Sequence, residues 1–268
     1  MQYIEREKIK EESLSIEKLN DVYQKLLTEF NNSVSQNEDS EKQKIKKEAL
    51  ENFYKQENVK RHLVFCYGLK CCYCESLISS TSYFEVDHFY PKNPKSSLPR
   101  QFKNSNDYKY KIVNDVRNFH LSCKRCNLNK KDFTGLALSS NFYHTGTQWK
   151  KYKSSFIEEN FSYDGAKVKC SKVYLPFIEK MHLNTSTEGE EKGLHLSLLL
   201  ERTRYLNKIG LLLNLCKSLC LAGDLENARV MYNFLRSYFE KKAQFSRMIV
   251  INWGNAYLKI GKFLNSRI

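Results

Sequence analysis

The chain has 268 residues, of which 41% are hydrophobic and 13% aromatic, enough to bury the core of one large domain or two small ones. Its net charge of +14 points to a polyanionic partner and argues against an acidic regulatory or structural protein. Within residues 92–131 there are 11 Lys and Arg against 2 Asp and Glu. This local excess favours a nucleic acid as the partner, with a solvated basic face as the alternative.

The first third of the chain is predicted to be helical. Apolar residues recur at helical spacing from Leu19 to Phe30, with Ser13 or Ser15 as the candidate N-cap. Residues 31–44 contain a single aliphatic residue and are expected to form a flexible linker. A second helix is expected from about Glu41 to Tyr67, ended by Gly68.

The middle of the chain predicts two strands and a helix. Residues 83–89 alternate as a strand does, a long basic loop follows up to about Arg117, and residues 119–123 form a returning strand. Residues 126–131 are expected to open a helix, because Asn127 suits a helix start. The predicted domains are a helical region over 1–60, a core over 61–145, and a region over 146–268.

The last region is predicted to contain a small hairpin and then helices. The hairpin lies within residues 155–170 and turns at Asp164-Gly165, a strong turn dipeptide. Helices are expected over 193–221, from residue 224, and over 243–264. The fold class is therefore α+β and mainly helical.

Two Cys-x-x-Cys pairs predict a structural zinc site. They are Cys71 with Cys74 and Cys123 with Cys126, and four thiolates satisfy a tetrahedral zinc ion. The odd count of nine cysteines argues against a disulfide framework. The charged start has no signal-peptide character, and no apolar stretch is long enough to span a membrane. We therefore expect a cytoplasmic protein with reduced thiols.

Between the cysteine pairs, Asp87-His88 carries residues suited to phosphodiester hydrolysis. Asp87 can ligate a hard divalent cation such as Mg²⁺ or Mn²⁺, and His88 can take a proton from water as general base. Asn127 offers an amide oxygen as a second ligand. A zinc knuckle that only binds nucleic acid would not need these three residues, and it remains the non-catalytic alternative.

These residues resemble the HNH endonucleases, whose fold is a ββα-metal unit. The resemblance rests on Asp87-His88, then Asn118, then Cys123-x-x-Cys126-Asn127-x-x-Lys130. It implies a catalytic His88, metal ligation by Asp87 and Asn127, and a bracing role for Asn118 between the strands. Arg125, Lys130 and Lys131 are expected to meet nucleic-acid phosphates.

A narrower likeness covers roughly residues 65–135 and is to the PtuB nuclease subunits of Septu-type bacterial antiphage systems. Such subunits work beside an ATPase subunit, PtuA, so the resemblance implies an ATPase partner, for which the C-terminal helices are the candidate docking region. The prediction is a metal-dependent endonuclease acting on DNA in antiphage defence. An RNA-cleaving enzyme of the same fold, acting for example on tRNA, is the alternative.

Overall fold

The computed structural model describes residues 15–78, 84–92, 113–131, 161–170, 181, 194–240 and 243–267. These residues form two compact units. The first unit contains residues 15–72, 78, 84–92 and 113–131, and the second contains 73–77 and the described residues from 161 onward. Residues 93–112, which make up most of the basic loop predicted to run up to about Arg117, lie outside the described residues, and so does the predicted boundary at 145.

The first unit begins with two helices, α1 (Ile16–Ser35) and α2 (Ser40–Glu51). Ser15 caps α1 as expected, accepting a hydrogen bond from the backbone N–H of Lys18 at 3.2 Å. The predicted linker over 31–44 is wrong, since only residues 36–39 lie between the helices. The polar side chains of residues 31–44 make hydrogen bonds to nearby backbone: Asp39 caps α2, and Gln43 donates to the carbonyl of Glu38 at 2.9 Å.

The second predicted helix is interrupted. After α2 comes a short 3₁₀ turn, Phe53–Lys55, and then α3 (Glu57–Tyr67). The break turns Phe53 into the core, where the side chain is fully buried against the rings of Tyr23 and Phe119. Gly68 ends α3 in the left-handed conformation, with φ of 62°, as the sequence predicted.

The strands of the first unit form a hairpin followed by a helix. Strand β1 (Glu85–His88) pairs antiparallel with β2 (Phe119–Ser122), placing His88 opposite Phe119 and Asp87 opposite His120. Helix α4 (Lys124–Lys130) follows, with Cys123 as its N-cap. The helix starts two residues earlier than predicted, so Asn127 lies inside it rather than at its start. The observed order is strand, strand, helix.

Within the predicted region over 1–60, the described helices share a core with the hairpin. Asn20 of α1 accepts a hydrogen bond from the N–H of Val116 at 3.1 Å, and Tyr23 accepts one from the Asn114 amide at 3.2 Å. Val116 and Leu121 are fully buried in this core. The early helices therefore support the backbone just before β2.

The second unit contains a hairpin and three helices. Strands β3 (Phe161–Asp164) and β4 (Lys167–Cys170) pair through a two-residue turn, Gly165-Ala166, in which Gly165 has φ of 56°. The hairpin is confirmed, and its turn lies one residue later than the predicted Asp164-Gly165. The helices are α5 (Leu194–Leu221), α6 (Leu225–Phe239) and α7 (Ser246–Asn265). They lie within a few residues of the predicted positions.

A buried polar cluster surrounds Glu75 in this unit. The Glu75 carboxylate accepts hydrogen bonds from the Tyr163 hydroxyl at 3.0 Å and from the N–H of Arg247 at 3.3 Å. Arg202, fully buried, donates to the carbonyl of Cys74 at 3.2 Å. Burial and the Glu75 carboxylate raise the pKa of Tyr163. The residue after the first cysteine pair thus has a structural role within the second unit.

The described chain is mainly helical with two small two-stranded sheets, in agreement with the predicted α+β class. Among its described helices, none combines the length and the apolar character required to cross a bilayer.

Candidate functional site

The four predicted cysteines lie together. The sulfur atoms of Cys71, Cys74, Cys123 and Cys126 are all within 4.8 Å of one another. Three of the four residues are buried, and Cys123 is partly exposed. A tetrahedral zinc ion with Zn–S bonds of about 2.3 Å requires sulfur atoms about 3.8 Å apart, so this arrangement fits zinc with little adjustment.

Backbone contacts place the cysteine pairs beside the hairpin. The N–H of Cys72 donates to the carbonyl of Leu121 in β2 at 2.9 Å, and Cys123 follows β2 directly and begins α4. The first pair therefore lies against the same strand from which the second pair emerges. A zinc ion held here would fix the start of α4 relative to the hairpin.

His88 lies at the end of β1 among aromatic rings. Its imidazole contacts Tyr54 and Phe119 edge to face, with ring centroids 4.8 and 4.9 Å away. The Nε2 atom is buried and has no hydrogen-bond partner within the part of the chain that the structure describes. Burial, and then the positive charges of Lys92 and Lys130, lower the pKa of His88 to about 3. The imidazole is therefore neutral at pH 7, the form that accepts a proton.

Asp87 forms a buried ion pair with Lys130. The Lys130 ammonium donates to Asp87 Oδ1 at 3.2 Å and to the carbonyl of His88 at 2.8 Å. The exposed fractions of the two side chains are 1% for Lys130 and 5% for Asp87. The expectation that Lys130 meets phosphates does not match this placement, because its ammonium is turned inward to the hairpin.

Asn118 is fully buried and holds the chain beyond His88. Its side-chain oxygen accepts a hydrogen bond from the N–H of Tyr90 at 2.7 Å. Its amide donates to the carbonyls of Tyr90 at 3.1 Å and Val113 at 3.0 Å. The backbone carbonyl of Asn118 also accepts from the N–H of Phe89 at 2.9 Å. Asn118 therefore fixes the exit of β1 next to the start of β2.

The other predicted residues lie on or just after α4. Asn127 is partly exposed and lies one helical turn before Lys130, so the two residues share a face of the helix. Arg125 is partly exposed, and Lys131 is exposed just after the last helical residue. Arg125 and Lys131 are therefore accessible to a ligand in solution.

Asp87 and Asn127 carry oxygen donors, the ligand type that a hard divalent cation prefers. Asp87 offers a carboxylate, and Asn127 offers an amide oxygen from the helical face that also carries Lys130. Mg²⁺ binds through one or two protein oxygens and retains several waters or substrate oxygens.

The sequence did not indicate that Tyr54 covers His88. Tyr54 lies in the 3₁₀ turn before α3, and the Lys92 ammonium lies 3.6 Å above its ring. Tyr54 has no motif signature and is 34 positions away from His88 in the chain. Lys92 follows His88 by four residues, so the sequence indicates a basic residue close to His88 but not its position over Tyr54.

Comparison with curated proteins gives a partial match. The chain is 38% identical over 89 residues to the Septu protein PtuB of Bacillus mycoides (strain KBAB4). The chain resembles Septu PtuB. The aligned stretch covers 33% of this chain and 30% of that PtuB, so the chain matches less than a third of the relative's length. No family profile and no solved structure matches the chain.

Proposed function

We propose that this chain is a metal-dependent HNH endonuclease that hydrolyses phosphodiester bonds of nucleic acid, DNA in the first instance, as the nuclease subunit of an antiphage system. The observation that carries the proposal is the juxtaposition of Asp87-His88 with the cysteine-anchored helix that bears Asn127. The similarity to Septu PtuB supports the defence role.

The chemistry assigns one task to each side chain. His88 is neutral at pH 7 and accepts the proton of the attacking water. Asp87 and Asn127 hold the divalent cation, which when bound stabilises negative charge on the phosphate and the leaving oxygen. Asn118 keeps the backbone of β1 in register with β2, and the family resemblance implies a 5′-phosphate and a 3′-hydroxyl as products.

The cationic residues around this site position the nucleic acid. Arg125 and Lys131 are accessible on and after α4, and Lys92 lies over Tyr54 beside His88. A phosphodiester drawn to these charges would reach the end of β1. Such contacts carry affinity and little sequence information.

The decisive experiment replaces the general base. We expect His88→Ala to lose plasmid cleavage in Mg²⁺ by at least about 10²-fold, the usual contribution of a general base. Circular dichroism and zinc content serve as controls for folding. A His88→Ala protein that cuts at the wild-type rate would refute the mechanism.

The same assay distinguishes the alternatives. Labelled duplex DNA, single-stranded DNA and total RNA are incubated with wild-type and His88→Ala protein. Cleavage of RNA alone would identify a ribonuclease of this fold. Binding without cleavage under any divalent cation would identify an adaptor.

We also propose an ATPase subunit of the PtuA kind as the partner, since the chain resembles Septu PtuB. Co-expression of the tagged chain with an ATPase subunit of the PtuA kind tests this directly. Failure of the two proteins to co-purify, in the presence and absence of ATP, would contradict the proposal.

A further inference from the structure

Lys130 carries a buried positive charge that the proposed mechanism does not use. Its ammonium lies among three oxygen atoms: Asp87 Oδ1 at 3.2 Å and the carbonyls of His88 at 2.8 Å and Lys131 at 3.5 Å. A carboxylate and carbonyl oxygens are the ligands that a small hard cation prefers. The ammonium therefore occupies a position with the chemistry of a cation site.

We propose that Lys130 is a built-in counter-cation of Asp87, which competes with the divalent cation for that carboxylate and keeps the affinity of the site low. The inference rests on the proposed function in taking Asp87 as a cation ligand. It goes beyond that function because it assigns the control of cation affinity to a residue outside the ligand set.

The energetics of a buried ion pair support this role. Asp87 and Lys130 are both almost fully shielded from water, so their charges interact in a medium of low dielectric. Removing the ammonium of such a pair takes the paired positive charge away from a buried carboxylate, which is strongly unfavourable. A carboxylate deprived of Lys130 would therefore bind another cation more tightly.

Helix α4 holds Lys130 in this position. The helix has seven residues, begins at the cysteine cluster, and places Lys130 one turn after Cys126. Lys130 therefore stays near Asp87 as long as the cluster fixes the helix. Methionine at this position would keep the length and apolar stem of lysine while removing its charge.

The test measures cation binding rather than cleavage. The full-length, zinc-loaded protein is titrated with Mn²⁺, and free Mn²⁺ is followed by electron paramagnetic resonance. The thiolate site holds zinc and is a poor site for Mn²⁺, which prefers oxygen ligands. We expect Lys130→Met to bind Mn²⁺ about tenfold more tightly than the wild type, or tighter still.

Three further variants serve as controls. Lys130→Arg keeps the charge and should bind Mn²⁺ as weakly as the wild type. Lys124→Met removes the same charge from an exposed position on α4 and should leave the affinity unchanged. Asp87→Asn combined with Lys130→Met should abolish the tight site.

Thermal unfolding gives a second measurement. Without Mn²⁺, Lys130→Met should melt at a lower temperature than the wild type. Addition of Mn²⁺ should raise the melting temperature of Lys130→Met by more than it raises that of the wild type. Failure of Lys130→Met to fold even with Mn²⁺ would contradict the proposal, because a competing cation must be able to take over the role of the ammonium.

The outcomes separate this inference from the proposed function. Mn²⁺ binding that depends on Asp87 but is unchanged or weaker in Lys130→Met would refute the role of Lys130 alone. Absence of any Asp87-dependent Mn²⁺ binding would refute the cation site itself, and both proposals with it.

Discussion

The imidazole of His88 lies between the rings of Tyr54 and Phe119, in electrostatic reach of Lys92 and Lys130. Burial is the larger cause of its lowered pKa, because a charged imidazole would lose its hydration there. A general base must be neutral to accept a proton, and this environment keeps His88 neutral, but a pKa so far below 7 also makes the imidazole a weaker base. The same environment makes the stability of the protein depend on pH.

We predict that His88 destabilises the folded state as the pH falls. Its pKa in the folded protein is about 3, below the ordinary 6.5, so the unfolded chain binds the proton first. The stability due to neutral His88 is complete above pH 6.5 and is lost as the pH falls towards 3. Between pH 7 and pH 5 the wild type should lose about 2 kcal/mol more than His88→Gln.

Urea unfolding at several pH values, without added divalent cation, measures this difference. The zinc ligands and the remaining histidines are common to both proteins, so their titration cancels in the comparison. If the stabilities of the wild type and His88→Gln change in parallel from pH 7 to pH 5, the pKa of His88 is not lowered by its surroundings, and the prediction is wrong.

At the scale of elements, α4 shows how a short helix can organise a site. Because the helix begins at Lys124 rather than at residue 126, Asn127 and Lys130 lie one turn apart on one face. Lys130, on that face, donates a hydrogen bond from its ammonium to Asp87. A seven-residue helix has little stability by itself, so the cysteine cluster at its start is an essential support.

Helix α7 allows a matched test of packing. A Cβ atom added at Gly254 would lie 3.6 Å from Val250, an ordinary contact, whereas one added at Gly261 would lie 2.8 Å from Cζ of Tyr232. The Tyr232 ring is stacked on Tyr257 with centroids 4.3 Å apart, so it has little room to move.

We therefore predict opposite effects for the same substitution in one helix. Gly254→Ala should raise the free energy of unfolding by about 0.5–1 kcal/mol through helix propensity. Gly261→Ala should lower it by about 1–3 kcal/mol through overpacking. Chemical denaturation of the two variants provides the measurement, and equal shifts in the same direction would contradict the predicted contact with Tyr232.

At the scale of the whole molecule, the four cysteines connect distant parts of the sequence. Cys74 and Cys123 are 49 positions apart in the chain, yet their sulfur atoms belong to one cluster. A zinc ion at this place would restrict the unfolded chain and stabilise the folded one, because metal binding and folding are coupled.

We predict about one zinc ion per chain in protein purified without chelator. Cys126→Ser should lose most of this zinc and should melt at a lower temperature, since three thiolates bind the ion less well than four. Cys170→Ser, in β4 and outside the cluster, should retain it. Elemental analysis measures the zinc content of the wild type and the two variants. Full zinc content in Cys126→Ser would exclude the four-thiolate site.

Much of the local structure could be predicted because its causes lie within a few residues. The left-handed Gly68 ends α3, the left-handed Gly165 begins the turn of a hairpin directly after Asp164, and Ser15 caps α1. The cysteine cluster was predictable for a related reason, since the spacing of two Cys-x-x-Cys pairs is set by the chemistry of the ion.

The interruption after α2 was not predictable in the same way. Residues from Glu41 to Tyr67 have helical composition, and a single helix satisfies their local preferences. Burial of Phe53 against Tyr23 and Phe119 outweighs that continuity, and Phe119 is 66 positions away. Tertiary packing therefore decided the break, as it commonly overrides local propensity.

The residue types and spacing of the candidate site could be recognised from the sequence: the thiolates, Asp87-His88 and the asparagines. Folding was needed to show that Lys130 pairs with Asp87 43 positions away, that Tyr54 covers His88, and that Asn118 holds the backbone at Tyr90. The difference lies in how far apart in the chain the interacting residues are. Ligand chemistry and turn stereochemistry are properties of short segments. The burial that keeps His88 neutral and encloses the Asp87–Lys130 ion pair arises only when segments far apart in the chain pack together and exclude water.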